Sequence, residues 1–346
     1  MSALQNTQWV LASRPQGMVE PANFERREEE VGKPGESQLL LRNLYLSLDP
    51  AMRGWMSDAP SYIPPVQIGE VMRGGCVAEV VASGHDDFAQ GDLVFGMFGW
   101  QEYAVVDVAG PAPVSKLPAG VSPTDALSAL GWTSLTAYFG LEDVGKPQPG
   151  ETVVVSGAAG ATGSVVGQLA KLKGCRVIGI AGGPEKCAWL TDELGFDGAI
   201  DYRSEDVSRR LKELCPDGIH VFWDNVGGEI LEAALNRLAM HGRVVFCGAI
   251  SGYNEDAPPP GPRNYVNILV RRARVEGFLV FDYVDQMPQA LAELAPLVQS
   301  GQLKTREDIR EGLDSAPEAL VDLFTGANIG KLMVHIADPS GAPADA

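Results

Sequence analysis

Two rhythms of apolar and polar positions divide the chain. Up to about residue 126 the apolar residues come in short extended runs broken by glycine, "QLLLRNLYLSL", "GGCVAEVVASG", "GDLVFGMF" and "QEYAVVDV". Short runs with turn residues between them predict a small, irregular β barrel or sandwich. Beyond 126 the apolar runs alternate with helical patterns: "TVVVSG" with "SVVGQLAKLKG", "RVIGIAG" with "EKCAWLTDELG", "GAIDY" with "SEDVSRRLKELC". "HVFWDNVGG", "EILEAALNRLAMHG", "RVVFCGAI" and "RVEGFLVF" continue the series. Continuous Val/Ile-rich strands between amphipathic helices predict a parallel sheet covered on both faces. Helical spacing in "LKELC" and "LEAALNRLAM" predicts that these segments pack on that sheet. A last helix, "APEALVDLFTG", and a last strand, "KLMVHIA", follow a polar stretch around 301 to 312. Periodicity leaves open whether they extend the parallel sheet or return to the first domain. The end of the chain, "DPSGAPADA", is small, polar and proline-containing, and is expected to be disordered.

Composition narrows the function classes. A chain of 346 residues is long enough for two domains with buried cores, and 45% hydrophobic with 21% charged residues is ordinary globular usage. The formal net charge of -18 disfavours nucleic acid and anionic membrane surfaces as partners. "MSALQNTQWVLASRP" has neither a charged n-region nor an apolar h-region, and no apolar run is long enough to span a bilayer. The expectation is a soluble cytoplasmic protein. Five cysteines, Cys76, Cys175, Cys187, Cys215 and Cys247, lie far apart and read as small buried residues of a reducing compartment. The four histidines, His85, His220, His241 and His335, show no ligand spacing with each other or with the cysteines, so no metal site is expected.

After "TVVVSG" comes Gly157-Ala158-Ala159-Gly160-Ala161-Thr162-Gly163, followed by a predicted helix to about Lys173. The spacing is G-x-x-G-x-x-G. Lying between an apolar strand and an amphipathic helix, it still offers a tight turn, close backbone approach and a helix N-terminus to a pyrophosphate. Gly167, one turn on, would let helix and sheet pack closely. The second strand of such a unit ordinarily ends in an acid that holds a ribose 2'-hydroxyl, but here it ends in Ala181-Gly182-Gly183. Small residues with Lys186 just beyond leave room for a 2'-phosphate and supply a cation to it, which points to NADPH.

At this point several stretches resemble one family: "WVLASRP", "YLSLDPAMRGWMSD", "PSYIPPVQIGEVMRGG", "GWTSLTAYFGL", "GAAGATGSVVGQLAKLKGCRVIGIAGGPEKC", "DNVGG", "CGAISGYN", "PPGP" and "GANIGK". They run nearly end to end and resemble the zinc-free, NADPH-dependent medium-chain dehydrogenase/reductases, the group of prostaglandin, double-bond and curcumin reductases, the last type most of all. The resemblance implies an α/β fold: a Rossmann doubly wound parallel sheet domain inserted into a GroES-like β-rich catalytic domain. The corresponding boundaries are 1–126 and 306–338 for the catalytic domain, 127–305 for the NADP-binding domain and 339–346 for the tail. It further implies a homodimer and reduction of a C=C bond conjugated to a carbonyl. Cofactor contacts map by resemblance onto Gly160, Ala161, Thr162, Gly163, Lys186, Tyr202, Asn225, Cys247, Gly248, Ala249, Ile250, Ser251, Tyr253, Phe278, Leu279, Val280 and Asn328. Relatives commonly read D-P-Y-M-R where this chain has Asp49-Pro50-Ala51-Met52-Arg53, so one tyrosine credited with substrate contact is absent.

Conjugate reduction needs a hydride at the β-carbon and a donor aimed at the enolate oxygen that develops. Tyr253 in "AISGYN" follows a predicted strand end, where ligands of open parallel sheets gather, and Tyr62 in "PSYIPP" lies on a proline-flanked loop. A phenol is protonated at neutral pH and can donate to that oxygen. Both are candidate catalytic residues, and both could instead line the site. Asp224 and Asn225 are expected to hold the cofactor or the loop, and the "PPPGP" run, 258 to 262, to border the substrate entrance or merely connect. A quinone reductase and a non-catalytic NADPH-binding protein are the competing readings.

Overall fold

A computed structural model describes residues 4–110, 113–255, 257 and 260–340. The chain forms two compact units, Met1–Leu127 with Glu307–Ala346, and Ser128–Arg306. In the first segment the elements are β1 (Gln5–Leu11), β2 (Phe24–Glu30), β3 (Gln38–Ser47), α1 (Met52–Trp55), β4 (Cys76–Ser83), β5 (Leu93–Gly96), β6 (Tyr103–Asp107), β7 (Ser115–Lys116) and α2 (Pro123–Leu127). The middle segment runs α3 (Trp132–Phe139), β8 (Thr152–Ser156), α4 (Ala161–Leu172), β9 (Arg176–Ala181), α5 (Pro184–Ala188), β10 (Gly198–Asp201) and α6 (Val207–Leu214). It continues with β11 (Ile219–Asp224), α7 (Gly228–Arg237), β12 (Leu238–Phe246), α8 (Val266–Arg271), β13 (Arg274–Gly277) and α9 (Met287–Gln299). The chain closes with β14 (Glu307–Glu311), α10 (Ala316–Thr325) and β15 (Lys331–His335).

The middle unit is the parallel sheet that the alternating pattern predicts, doubly wound as the resemblance implies. Its strand order is β10-β9-β8-β11-β12-β13, and every neighbouring pair is parallel. Val153, Val154 and Val155 of β8 and Val177, Ile178 and Ile180 of β9 are fully buried, because helices cover both faces and consecutive positions must then be apolar. The order reverses at β8 and β11, the place where such sheets open a crevice beyond their strand ends.

The other unit is β-rich and draws on both ends of the chain. Its main sheet runs β14-β15-β3-β4-β5-β7, with β6 also paired to β3, and β1 and β2 form a separate antiparallel pair. β15 lies antiparallel to β3 and parallel to β14, so the final strand returns to the first segment and does not extend the parallel sheet. Its core gathers Leu39, Leu41, Leu46, Trp100, Leu320, Leu332 and Val334.

Three local expectations are corrected. α7 stops at Arg237, and Leu238 to Met240, read above as helix, begin β12; Leu238 registers with Ile219 of β11, so sheet pairing overrides the helical spacing. The polar stretch before α10 contains a strand, β14, whose sequence "EDIRE" lacks an apolar alternation. The chain is also held as far as Ser340: Arg42 donates to the Asp338 carbonyl and the Ser340 hydroxyl, and the Ser340 N–H donates to the buried Glu79 carboxylate. Residues 341–346 of the expected tail, and Pro258 and Pro259 of the proline run, lie outside the described residues. Among the described residues no helix is long and apolar enough to cross a membrane.

Candidate active site

The glycine-rich turn joins β8 to α4. Gly160 precedes the helix in extended backbone (φ -84°, ψ 170°), with no side chain capping the first-turn N–H groups of Ala161, Thr162 and Gly163. Those donors and the helix dipole suit a phosphate. At Gly163 a Cβ would stand 2.4 Å from the Gly157 carbonyl oxygen, so only glycine lets the helix fold back onto its own turn. Gly167 serves a different neighbour from the one expected: its Cβ would meet the Phe196 ring at 1.9 Å, so the close packing is against the segment before β10.

At the end of β9, the tip vacated by the missing acid is lined by groups from β10's far end. A Cβ on Gly182 would come within 2.9 Å of the Tyr202 ring and hydroxyl and 3.0 Å of Arg203 Nε. Tyr202 is 45% exposed, and Lys186 lies half-buried in α5 just beyond the turn. Arg203 was not among the sequence candidates. Only the contact of β10's exit with Gly182 brings its guanidinium to the tip. An acid does stand nearby, Asp201, but its carboxylate accepts from the Gly183 N–H (2.7 Å), the Arg203 N–H (3.0 Å) and the Ser204 hydroxyl (2.8 Å). The Gly183 N–H, opposed by burial and helped by Ser204 and Arg203, holds this carboxyl below the usual range. Asp201 thus fixes the turn.

The strand ends of β8, β11 and β12 carry the next group. Asp224 is fully buried, and its Oδ1 accepts from the Ser156 hydroxyl (2.9 Å) and from the N–H groups of Val226 (3.0 Å) and Gly227 (2.9 Å). Asn225 donates from its side chain to the Ser156 carbonyl (2.7 Å) and accepts from the Trp223 indole (3.0 Å), so both ends of its amide are engaged within the loop. The Cys247 and Gly248 N–H groups donate to the Asp224 carbonyl, which ties the 247–253 segment to β11. Tyr253, half-buried, accepts the Ala249 N–H on its hydroxyl at 3.2 Å. Phe278 stands edge-on to Trp223 with ring centroids 5.8 Å apart, and Leu279 and Val280 follow it, half-buried.

The β-rich unit carries Tyr62, Ala51 and Asn328. Tyr62 is 50% exposed, and its hydroxyl accepts the indole N–H of the buried Trp55 at 3.2 Å. Ala51 packs against the hydrophobic core beside α1. The segment before it is anchored by buried Lys331, which donates to the Leu48 carbonyl and to Asp49, both at 2.9 Å, while Ser47 donates to the other Asp49 oxygen. Asn328 is buried and donates to the Gly330 carbonyl (3.1 Å).

Comparison with known proteins decides the family. Residues 7–114 match the model for the N-terminal domain of oxidoreductase, and residues 161–296 match the zinc-binding dehydrogenase model. NADPH-dependent curcumin reductase of Escherichia coli (strain K12) is 44% identical over 96% of this chain and 97% of its own length. The chain is a medium-chain dehydrogenase/reductase. NADP(+)-dependent 2-alkenal reductase of Nicotiana tabacum is 39% identical to this dehydrogenase/reductase over 96% of this chain and 98% of its own length. The crystal structure of CurA from Vibrio vulnificus in complex with NADPH superposes with a TM-score of 0.91 at 43% identity, covering 96% of this chain and 100% of that one.

Among the described residues of this dehydrogenase/reductase, no three His, Cys, Asp or Glu side chains group as metal ligands. Burial raises the thiols of Cys76, Cys175, Cys187, Cys215 and Cys247, the last to about 12 with the Asp224 charge adding to the effect.

Proposed function

We propose that the protein reduces the C=C bond of α,β-unsaturated ketones and aldehydes with NADPH. The curcumin and alkenal reductases it resembles support this substrate class. NADPH supplies the hydride. The residues present fit that cofactor: uncapped N–H groups at the α4 turn suit the pyrophosphate, and Arg203 and Tyr202 beside Gly182, with Lys186 in α5, suit a 2'-phosphate.

The observation that carries the mechanism is the bonding of the two tyrosine hydroxyls. Each oxygen accepts from an N–H that can only donate, Ala249 for Tyr253 and Trp55 for Tyr62. At that contact each tyrosine is the acceptor. Tyr253 donates to the enolate oxygen that develops on the substrate, and Tyr62, in the β-rich unit, is the second candidate donor. Such a donor, fixed before the reaction, stabilises charge at no reorganisation cost.

Tyr253→Phe tests this reading. Enone turnover is expected to fall by about tenfold or more, as removal of an oxyanion donor does, with NADPH still bound. Undiminished turnover at full NADPH occupancy removes Tyr253 from the mechanism.

We also infer a homodimer through the free edge of the parallel sheet. Among the described residues β13 pairs with β12 alone, and it is exposed along its length. Beside it in the chain, Tyr265, Val266, Leu269 and Val270 are 68%, 55%, 76% and 54% exposed. An open strand edge with an apolar helix is unfavourable in water, and a second copy meeting it about a twofold axis would cover both.

A further inference from the structure

We propose that Asp224 is a positioning residue that sets the Tyr253 hydroxyl through two successive loops. The inference rests on the reading of Tyr253 as the enolate donor and adds a residue that touches neither substrate nor cofactor.

The network starts from one carboxylate oxygen. Oδ1 of Asp224 gathers the Ser156 hydroxyl and the N–H groups of Val226 and Gly227, which bends the chain leaving β11 into a fixed turn. The Ser156 hydroxyl in turn accepts the Asn225 N–H at 2.9 Å, so β8 is locked to the same turn. The turn then presents its carbonyls to the next loop. Ile250 N–H donates to the Asn225 carbonyl (3.1 Å), and Ser251 donates to the Val226 carbonyl from its N–H (3.1 Å) and its hydroxyl (2.6 Å). The 3₁₀ turn Ile250–Gly252 built on these bonds delivers Tyr253, whose hydroxyl closes back on the Ala249 N–H.

Asp224 is fully buried, and its Oδ2 has no hydrogen-bond partner among the described residues. Burial pushes this carboxyl above the ordinary range against the pull of its three donors. A buried carboxylate with one idle oxygen is a costly way to hold a turn, yet it is what can accept three donors at one point. The geometry it secures is the Tyr253 loop.

A double-mutant cycle tests the proposal with NADPH and a simple alkenal as probe. Asp224→Ala is expected to lower kcat by about tenfold or more. Asp224→Asn, which keeps an acceptor at Oδ1, should recover most of that loss. In a Tyr253→Phe background, Asp224→Ala should cost little further, because the hydroxyl it positions is already gone. If Asp224→Ala fails to fold, Ser156→Ala takes its place in the cycle with the same expected non-additivity. Losses that multiply, or an Asp224→Ala enzyme with undiminished kcat, overturn the proposal while leaving the role of Tyr253 intact. A Tyr253→Phe enzyme with undiminished kcat overturns that role and this inference together.

Discussion

The indole N–H of Trp55 donates to the Tyr62 hydroxyl across 3.2 Å, within one short stretch of the β-rich unit. Trp55 is buried and Tyr62 half exposed, so the buried partner positions the exposed one. Loss of one such bond costs about 1 kcal/mol, which is roughly fivefold in rate if it is felt at the transition state. Trp55→Phe keeps the packing and removes the donor. The expected outcome is a roughly threefold to tenfold drop in kcat with an enone and an unchanged melting temperature to within a few degrees. Steady-state kinetics that show Trp55→Phe equal to the parent, while Tyr62→Phe is impaired, would separate Tyr62 from its partner.

At the cofactor's adenosine end, Lys186 and Arg203 are expected to act on the 2'-phosphate. Charge-assisted contacts are worth about 1.5 to 3 kcal/mol, so Lys186→Ala and Arg203→Ala should each weaken NADPH by roughly tenfold to a hundredfold. NADH, lacking that phosphate, should change little. Calorimetric titration of both coenzymes into both variants checks this. Equal weakening of the two would show that these cations do not face the phosphate.

The existence of the parallel sheet was legible because a strand buried on both faces has no polar positions to confuse its pattern, as in Val153 to Val155. The β-rich unit was less so. β2 reads "FERREEE" and β14 "EDIRE", strands held by backbone pairing with neighbours, and no local apolar alternation announces them. Leu238 to Met240 had helical spacing and went to the sheet because β11 offers a partner. At the site, glycine spacing and the missing acid pointed to the turn between β8 and α4 as the place for a cofactor, since both are properties of one βαβ unit. Arg203 was not legible, because its relevance depends on Gly182, twenty-one residues earlier, lying against it. Trp55 was hidden for the same reason: a donor to Tyr62 is known only once the loop is folded.

The free edge at β13 makes a prediction about assembly. Leu269 is the most exposed of the large apolar residues there, at 76%. Leu269→Asp should shift the protein from dimer toward monomer in analytical ultracentrifugation, since a buried unpaired charge at an apolar interface costs several kcal/mol. A parent that sediments as a monomer at micromolar concentration would contradict the dimer.

The measurement that bears most directly on the central claim is the identity of the product. An enone incubated with the protein and NADPH, followed by absorbance and by mass and nuclear magnetic resonance analysis, is expected to yield the saturated ketone in step with NADPH oxidation. An allylic alcohol, or NADPH oxidation by quinones with enones left untouched, would contradict reduction of the conjugated C=C bond.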